Sequence, residues 1–350
     1  MPHNHTPFQH LARNGTSITP LQRPIGPPPF NRRRWMGSSL AALVAGAAGL
    51  SGAWPTLLHA QTPARRTGKL LIVGGAEDRL QDRVILRKFV ALCGGPMARI
   101  LVCTAASGDP LASWAGYQPV FQALGAQQVQ HLALPNPEDA NDPARVDQIL
   151  QADGIWLGGG DQRRLMATLW ESEAARAMHL AFHLRGANIG GTSAGAAALS
   201  RQMLAIGEAA VRPEKDLVSV DIGLGFVSRA IVDQHFSERG RLGRLLSAMA
   251  QRPDLLGVGV DEDTALLIER GRGVEVIGAG NVTLVDGRHM ATNFKALGPS
   301  ERLEMLGVQL HLLPAGSRYT VGPDPTPDHP LPSALKEALR LLVEPGPIRG

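Results

Sequence analysis

A chain of 350 residues, 44% hydrophobic and 19% charged, can bury a sizeable core, which excludes a disordered or fibrous protein. Aromatic residues make up only 4%, too few to suggest a platform for stacked nucleobases. The formal net charge is +4, but Arg13, Arg23, Arg32, Arg33 and Arg34 lie within residues 1–60, which hold no acid; without those five the balance is −1, so the basic character belongs to the leader and no nucleic-acid partner is implied.

The leader comes first in chain order. Asn31-Arg32-Arg33-Arg34-Trp35-Met36 precedes an uncharged, Ala- and Gly-rich run from Gly37 to Trp54, and Leu58-His59-Ala60 offers a small-residue cleavage site. The pattern predicts an export signal cut near residue 60, and the paired arginines resemble a twin-arginine signal. The mature protein is then expected in the periplasm or outside the cell, with no stable membrane association. An uncleaved anchor is the competing reading. Residues 1–66, polar and Pro-rich at their start, are read as a disordered leader with its signal.

From Lys69 the chain alternates. Lys69–Val73 reads as a buried strand ending in Gly74-Gly75, followed by a helix over Asp82–Leu92. Ala98–Thr104 is a second strand, Trp114–Leu124 a helix and Gln127–Leu134 a third strand. Pro143 opens another helix, as proline does in a first turn. Gly154–Leu157 is a fourth strand, ending in Gly158-Gly159-Gly160. Residues 162–185 give one or two helices before Asn188-Ile189. This rhythm predicts an α/β fold, a mostly parallel sheet flanked by helices, with ligands at the carboxyl ends of its strands. After residue 252 the rhythm changes to short strands at Leu256–Val260, Thr264–Glu269, Val274–Ile277 and Val282–Val285. They read as an appended β-rich C-terminal meander. One domain is expected over 67–322, with a Pro-rich tail over 323–350 carrying a short helix at Ser333–Val343. Cys93 and Cys103 sit in apolar contexts and read as buried free thiols, a disulfide being the alternative for an exported chain.

The chemistry is concentrated at strand ends. Gly191-Thr192-Ser193-Ala194-Gly195 fits G-x-S-x-G between a strand and a helix. In that setting the serine occupies a strained turn, its neighbours must be tiny, and the Ala194 N–H faces a developing oxyanion. Gly158-Gly159-Gly160-Asp161-Gln162 ends another strand and can supply a second oxyanion amide, with Asp161 and Gln162 orienting substrate. No G-K-[ST] follows it, and Gly74-Gly75-Ala76-Glu77-Asp78 lacks G-x-G-x-x-G, so neither a phosphate loop nor a dinucleotide site is expected. No metal-ligand spacing is present, and no cofactor and no metal are called for. The base for the serine is His235, at the end of the apolar run Ile231-Val232-Asp233-Gln234. The acid comes from Asp261-Glu262-Asp263; alternation puts Glu262 on one face and Asp261 and Asp263 on the other. Glu208 and Asp221 are further candidates. The order Ser…His…acid argues against an α/β-hydrolase. Arg239, Arg241 and Arg244 follow His235 in a segment read as a helix, with Arg241 and Arg244 on one face as forks for a substrate carboxylate.

Taken in colinear order over residues 69–320, these stretches resemble the cyanophycinase family. They are Gly74–Asp78, Thr104–Asp109, Gly158–Gln162, Gly191–Ala196, Asp233–Arg244 and Gly259–Ala265. The resemblance implies a serine peptidase on a sheet like that of the class I glutamine amidotransferases. Its substrate would be the cyanophycin polymer, polyaspartate with arginine on each side-chain carboxyl, and its product β-Asp-Arg dipeptide. By the same match Ser193 is the nucleophile, His235 the base and Glu262 the acid. Gly160 and Ala194 hold the oxyanion. Asp161, Gln162, Asp233, Gln234, Arg239, Arg241 and Arg244 form the substrate pocket. A homodimer is left open. Two positions depart from the family pattern: Ala76 stands where a third glycine is usual, and Gly207-Glu208-Ala209-Ala210 matches poorly the acid-bearing stretch after the elbow helix. A related aspartyl or isoaspartyl dipeptidase and a catalytically silent polymer-binding protein are the alternative functions.

Overall fold

The computed structural model describes residues 67–321 and 331–344; the expected leader and export signal over residues 1–66 lie outside the described residues. Strand β1 (Leu70–Val73) is four apolar residues, all buried. A strand without a polar face has no solvent side, so it must lie inside a sheet covered on both faces. Helix α1 (Val84–Cys93) stops at Gly94, in the left-handed region, and leads to β2 (Arg99–Cys103). Asp109 caps α2 (Pro110–Ala123) by accepting from the Ala112 N–H. Strand β3 (Gln128–Leu132) is followed by α3 (Pro143–Gln151), which Asp142 caps, and by β4 (Gly154–Leu157). Then come α4 (Gln162–Leu169), α5 (Glu173–Leu180), β5 (Asn188–Thr192) and the short α6 (Ala194–Ala198).

Strands β1 to β5 are mutually parallel, in the order β1-β5-β4-β2-β3. Alternation along them builds two cores. Leu70, Ile72, Leu101, Ile155 and Leu157 face α3 to α6. Leu71, Val73, Ile100, Val102 and Trp156 face α1 and α2, where Trp156 meets Phe89, Phe121 and Tyr117 edge-on at 5.1, 5.8 and 6.0 Å between ring centres. Cys93 and Cys103 are buried in different cores and unpaired.

The remaining chain departs from the simple meander expected. A hairpin, β6 (Gln202–Gly207) and β7 (Val218–Ile222), precedes β8 (Ala230–Gln234) and α7 (Leu242–Gln251). Then follow β9 (Leu256–Val260), β10 (Thr264–Glu269), β11 (Gly273–Gly278) and β12 (Asn281–Asp286). The two-residue β13 (Ala291–Thr292) and β14 (Met305–Leu306) pair with each other. Strands β15 (Gln309–Pro314) and β16 (Arg318–Thr320) and helix α8 (Ser333–Val343) complete the described chain. Strands β10, β11 and β16 extend the first sheet antiparallel beside β1, whereas β8, β9, β12 and β15 form a second sheet. The chain thus switches sheets between β9 and β10 and again between β11 and β12. Strand β9 and the Ala265–Ile268 run of β10 are apolar and buried, and each needs two covered faces. Helix α7 covers the second sheet through Leu245, Ala248 and Met249. Helix α8, assigned from sequence to a tail, buries Leu335, Ala338, Leu339, Leu342 and Val343 in the first core.

Candidate active site

The β5–α6 turn is built by close approach. A Cβ on Gly191 would sit 2.6 Å from the Gly195 carbonyl oxygen, and one on Gly195 would sit 2.3 Å from that of Leu157. Only glycine lets the strand and helix close to this distance. Between them Ser193 is held at φ 52°, ψ −113°, a conformation a serine adopts only when its surroundings impose it. Its hydroxyl lies 2.8 Å from His235 Nε2, and His235 Nδ1 lies 2.6 Å from Glu262 Oε1. A carboxylate only accepts, so Nδ1 carries the proton and Nε2 is left to accept from Ser193. Burial lowers the His235 pKa below the usual 6.5, against the opposing effect of its hydrogen bond to Glu262.

The strand ends come from different sheets, and not from one edge as the sequence suggested. Ser193 follows β5 in the first sheet; His235 follows β8, and Glu262 follows β9, in the second. The Gly74–Asp78 turn after β1 joins them. The His235 N–H donates to the Gly74 carbonyl, and the Asp263 N–H donates to that of Gly75. Gly75 has φ 105°, and a Cβ there would meet the imidazole at 2.3 Å. Ala76, at φ 48°, occupies the region that favours glycine, which is the physical meaning of the glycine expected there.

The three consecutive acids separate. Glu262 alone reaches His235, and its N–H donates to Glu238 Oε2. Asp261 is buried, accepting from Ser237 N–H and hydroxyl and from the Asn281 N–H at 2.9 Å. Asp263 accepts from the Asp78 N–H at 2.8 Å. Glu208 and Asp221 are exposed and belong to the β6–β7 hairpin.

The expected pocket residues are placed unevenly. Ser237–Arg241 forms turns rather than a helix, and α7 starts at Leu242. Arg239 is exposed beside the imidazole. Arg241 and Arg244, expected as forks for a substrate carboxylate, turn inward to the fully buried Asp233. Arg244 Nε donates to Asp233 Oδ2 at 2.8 Å, its Nη2 to Oδ1, and its Nη1 to the Gly207 carbonyl. Arg241 Nη1 donates to Gln234 Oε1 at 2.9 Å and lies 3.4 Å from Asp233. A carboxylate with no access to water draws these cations in, because an unpaired buried charge is costly. Gln162 donates to the Leu204 and Ala205 carbonyls, so its amide holds β6. Asp161 caps α4 and pairs with Arg163 at 2.8 Å, which lowers its pKa. Among the described residues the N–H groups of Gly159, Gly160 and Ala194 donate to no protein acceptor. Gly159, not singled out from sequence, lies against Ser193: a Cβ on it would be 3.4 Å from the serine Cβ.

A serine on a strained turn, aligned with an imidazole and a carboxylate beside free backbone amides, can perform acyl transfer. The sequence matches the model of peptidase family S51 over residues 70–276. It is similar to a cyanophycinase from a Nostoc species, 37% identical over 264 residues, which cover 75% of this chain and 88% of that protein. A cyanophycinase from Geminocystis herdmanii is 36% identical over 251 residues, covering 71% and 92%. The crystal structure of a peptidase from an acI-B1 actinobacterium shares the fold, with a TM-score of 0.53 at 21% identity, covering 73% of this chain and 98% of that one. The chain belongs to peptidase family S51, the family of these cyanophycinases, and is a serine-type peptidase.

Proposed function

We propose that this protein is an exported cyanophycinase, hydrolysing the arginine-bearing polyaspartate to β-Asp-Arg dipeptides through an acyl-enzyme on Ser193. The observation that carries the mechanism is the Ser193–His235–Glu262 line with its 2.8 and 2.6 Å hydrogen bonds. His235 Nε2 takes the proton as Ser193 Oγ attacks the scissile carbonyl, while Glu262 holds the Nδ1–H and stabilises the imidazolium. The carbonyl oxygen becomes an oxyanion facing the Ala194 N–H and the Gly159–Gly160 amides. His235 then protonates the leaving amine. Water, deprotonated by the same nitrogen, releases the acyl group and restores the serine. The substrate class is supported by the similarity to cyanophycinases and by the exposed Arg239, a cation for the carboxylates of a zwitterionic polymer. Export is supported by the arginine-led N-terminal segment.

Release of β-Asp-Arg from purified polymer by the wild-type protein, and its loss in Ser193→Ala, is the expected result. Absence of release, or release that survives the substitution, would overturn the proposal. The inward turn of Arg241 and Arg244 favours one alternative, a dipeptidase for isoaspartyl or aspartyl dipeptides, since the site then offers fewer free cations to the repeated carboxylates of a long zwitterionic polymer. Faster cleavage of such dipeptides than of polymer would select it.

A further inference from the structure

Glu77 lies two residues beyond Gly75, which packs against His235, and its side chain is 0% exposed. A carboxylate there is tolerable only if its lone pairs are filled, and they are. Oε1 accepts from Tyr117 Oη at 2.8 Å and from Arg79 Nε and Nη2 at 3.0 and 2.7 Å. Arg79 also donates to the tyrosine oxygen and stacks 4.0 Å over its ring centre. Burial and the adjacent Glu77 raise the Tyr117 pKa, so the phenol stays a donor. The remaining oxygen, Oε2, accepts from Thr192 Oγ1 at 2.5 Å.

Thr192 is the residue before Ser193, so this bond reaches the elbow without passing through His235. The serine backbone sits in a conformation that relaxes unless its neighbours fix it. The backbone bond from the Ser193 N–H to the Val73 carbonyl, 3.1 Å, is one restraint. The Thr192 hydroxyl on a buried charge is another, and a charge-assisted bond is about twice as strong as a neutral one. Neither Glu77 nor Tyr117 hydrogen-bonds the His235–Glu262 pair. We propose that Glu77 is a positioning residue for Ser193, acting through Thr192 to hold the elbow in its attacking conformation. This rests on the reading of Ser193 as nucleophile.

The test uses the full-length protein, the polymer, and the rate at which a fluorophosphonate labels Ser193, measured across pH. Thr192→Val keeps the side-chain shape and removes only the donor. It is expected to lower labelling and kcat about tenfold at every pH, with KM within about twofold, because a small misplacement of a reacting group costs one to two orders of magnitude. Thr192→Ser restores the hydroxyl and is expected to return both rates to within about twofold of wild type. Glu77→Gln is expected to fall at least as far, and adding Thr192→Val to it to change the rate less than twofold, as two links of one chain should. If Glu77→Gln does not fold, Thr192→Val against Thr192→Ser decides the matter. Wild-type labelling by Thr192→Val, or a tenfold loss that Thr192→Ser does not rescue, overturns the positioning role and leaves the nucleophile standing. A wild-type protein that neither labels nor turns over overturns the reading beneath it.

Discussion

Asp233 lies in β8 and His235 just beyond its end, two residues apart, and each faces an ionic partner, yet their surroundings differ. Asp233 is 0% exposed and held by Arg241 and Arg244 through several hydrogen bonds. Burial, with Arg244 alongside, lowers the Arg241 guanidinium to about 10, so Arg241 stays charged at neutral pH. Glu262 is 34% exposed and meets His235 through one bond. A carboxylate saturated by guanidinium groups and sealed from water has no capacity left for a substrate. One that is half in water and tied to a single imidazole can stabilise a charge that comes and goes. Charged residues at strand ends therefore look alike in sequence and divide by burial into a brace and a reactive pair.

The contrast can be broken from either side. Glu262→Gln removes the charge behind the imidazole and leaves its shape; turnover is expected to fall by roughly 10²- to 10⁴-fold with little change in thermal midpoint. Asp233→Asn should do the reverse at the level of the fold, leaving two buried guanidinium groups short of a counter-charge. A loss of about 3–5 kcal/mol in chemical denaturation is expected, far more than Glu262→Gln causes. Equal destabilisation by both would erase the distinction drawn here.

A milder perturbation is pH. The base must be neutral to accept the serine proton, and burial depresses its pKa. Activity is therefore present above that pKa and lost as pH falls through it, so the acid limb of kcat/KM is expected below 6.5. A limb above 6.5 would mean that Glu262 outweighs burial. The smallest effect is expected at Ala76→Gly. Relief of the left-handed conformation, worth about 1–2 kcal/mol, opposes a backbone-entropy cost of about 0.5–1 kcal/mol, so a net gain of under roughly 1.5 kcal/mol should appear as a slightly higher thermal midpoint.

Much of the α/β half was legible because its strands are apolar runs with glycine ends. Gly154–Leu157, Leu256–Val260 and Thr264–Glu269 coincide with the observed strands, and Ser333–Val343 with the last helix. What failed was what local pattern does not encode. The Ser237 segment carries charge at helical spacing, but pairing with Asp233 draws Arg241 and Arg244 inward, and the helix starts only at Leu242. Glu77 was visible as part of a motif without a role, because its partners Tyr117 and Thr192 lie 40 and 115 residues away in sequence.

The sequence by itself determined the local devices. Small residues around Ser193 permit the strained turn, apolar strands demand two covered faces, and the arginines before Gly37 set the N-terminal segment apart from a nearly neutral remainder. The tertiary structure decided which strands join which sheet, and hence which ends meet. Ser193 ends a strand of one sheet, while His235 and Glu262 end strands of another. They converge because the Gly74–Asp78 turn hydrogen-bonds to both sides. The family resemblance pointed to Glu262 over Asp261, but the physical separation of the two is tertiary. Alternation puts them on different faces, and packing against Ser237 and Asn281 buries Asp261 and leaves Glu262 to the imidazole.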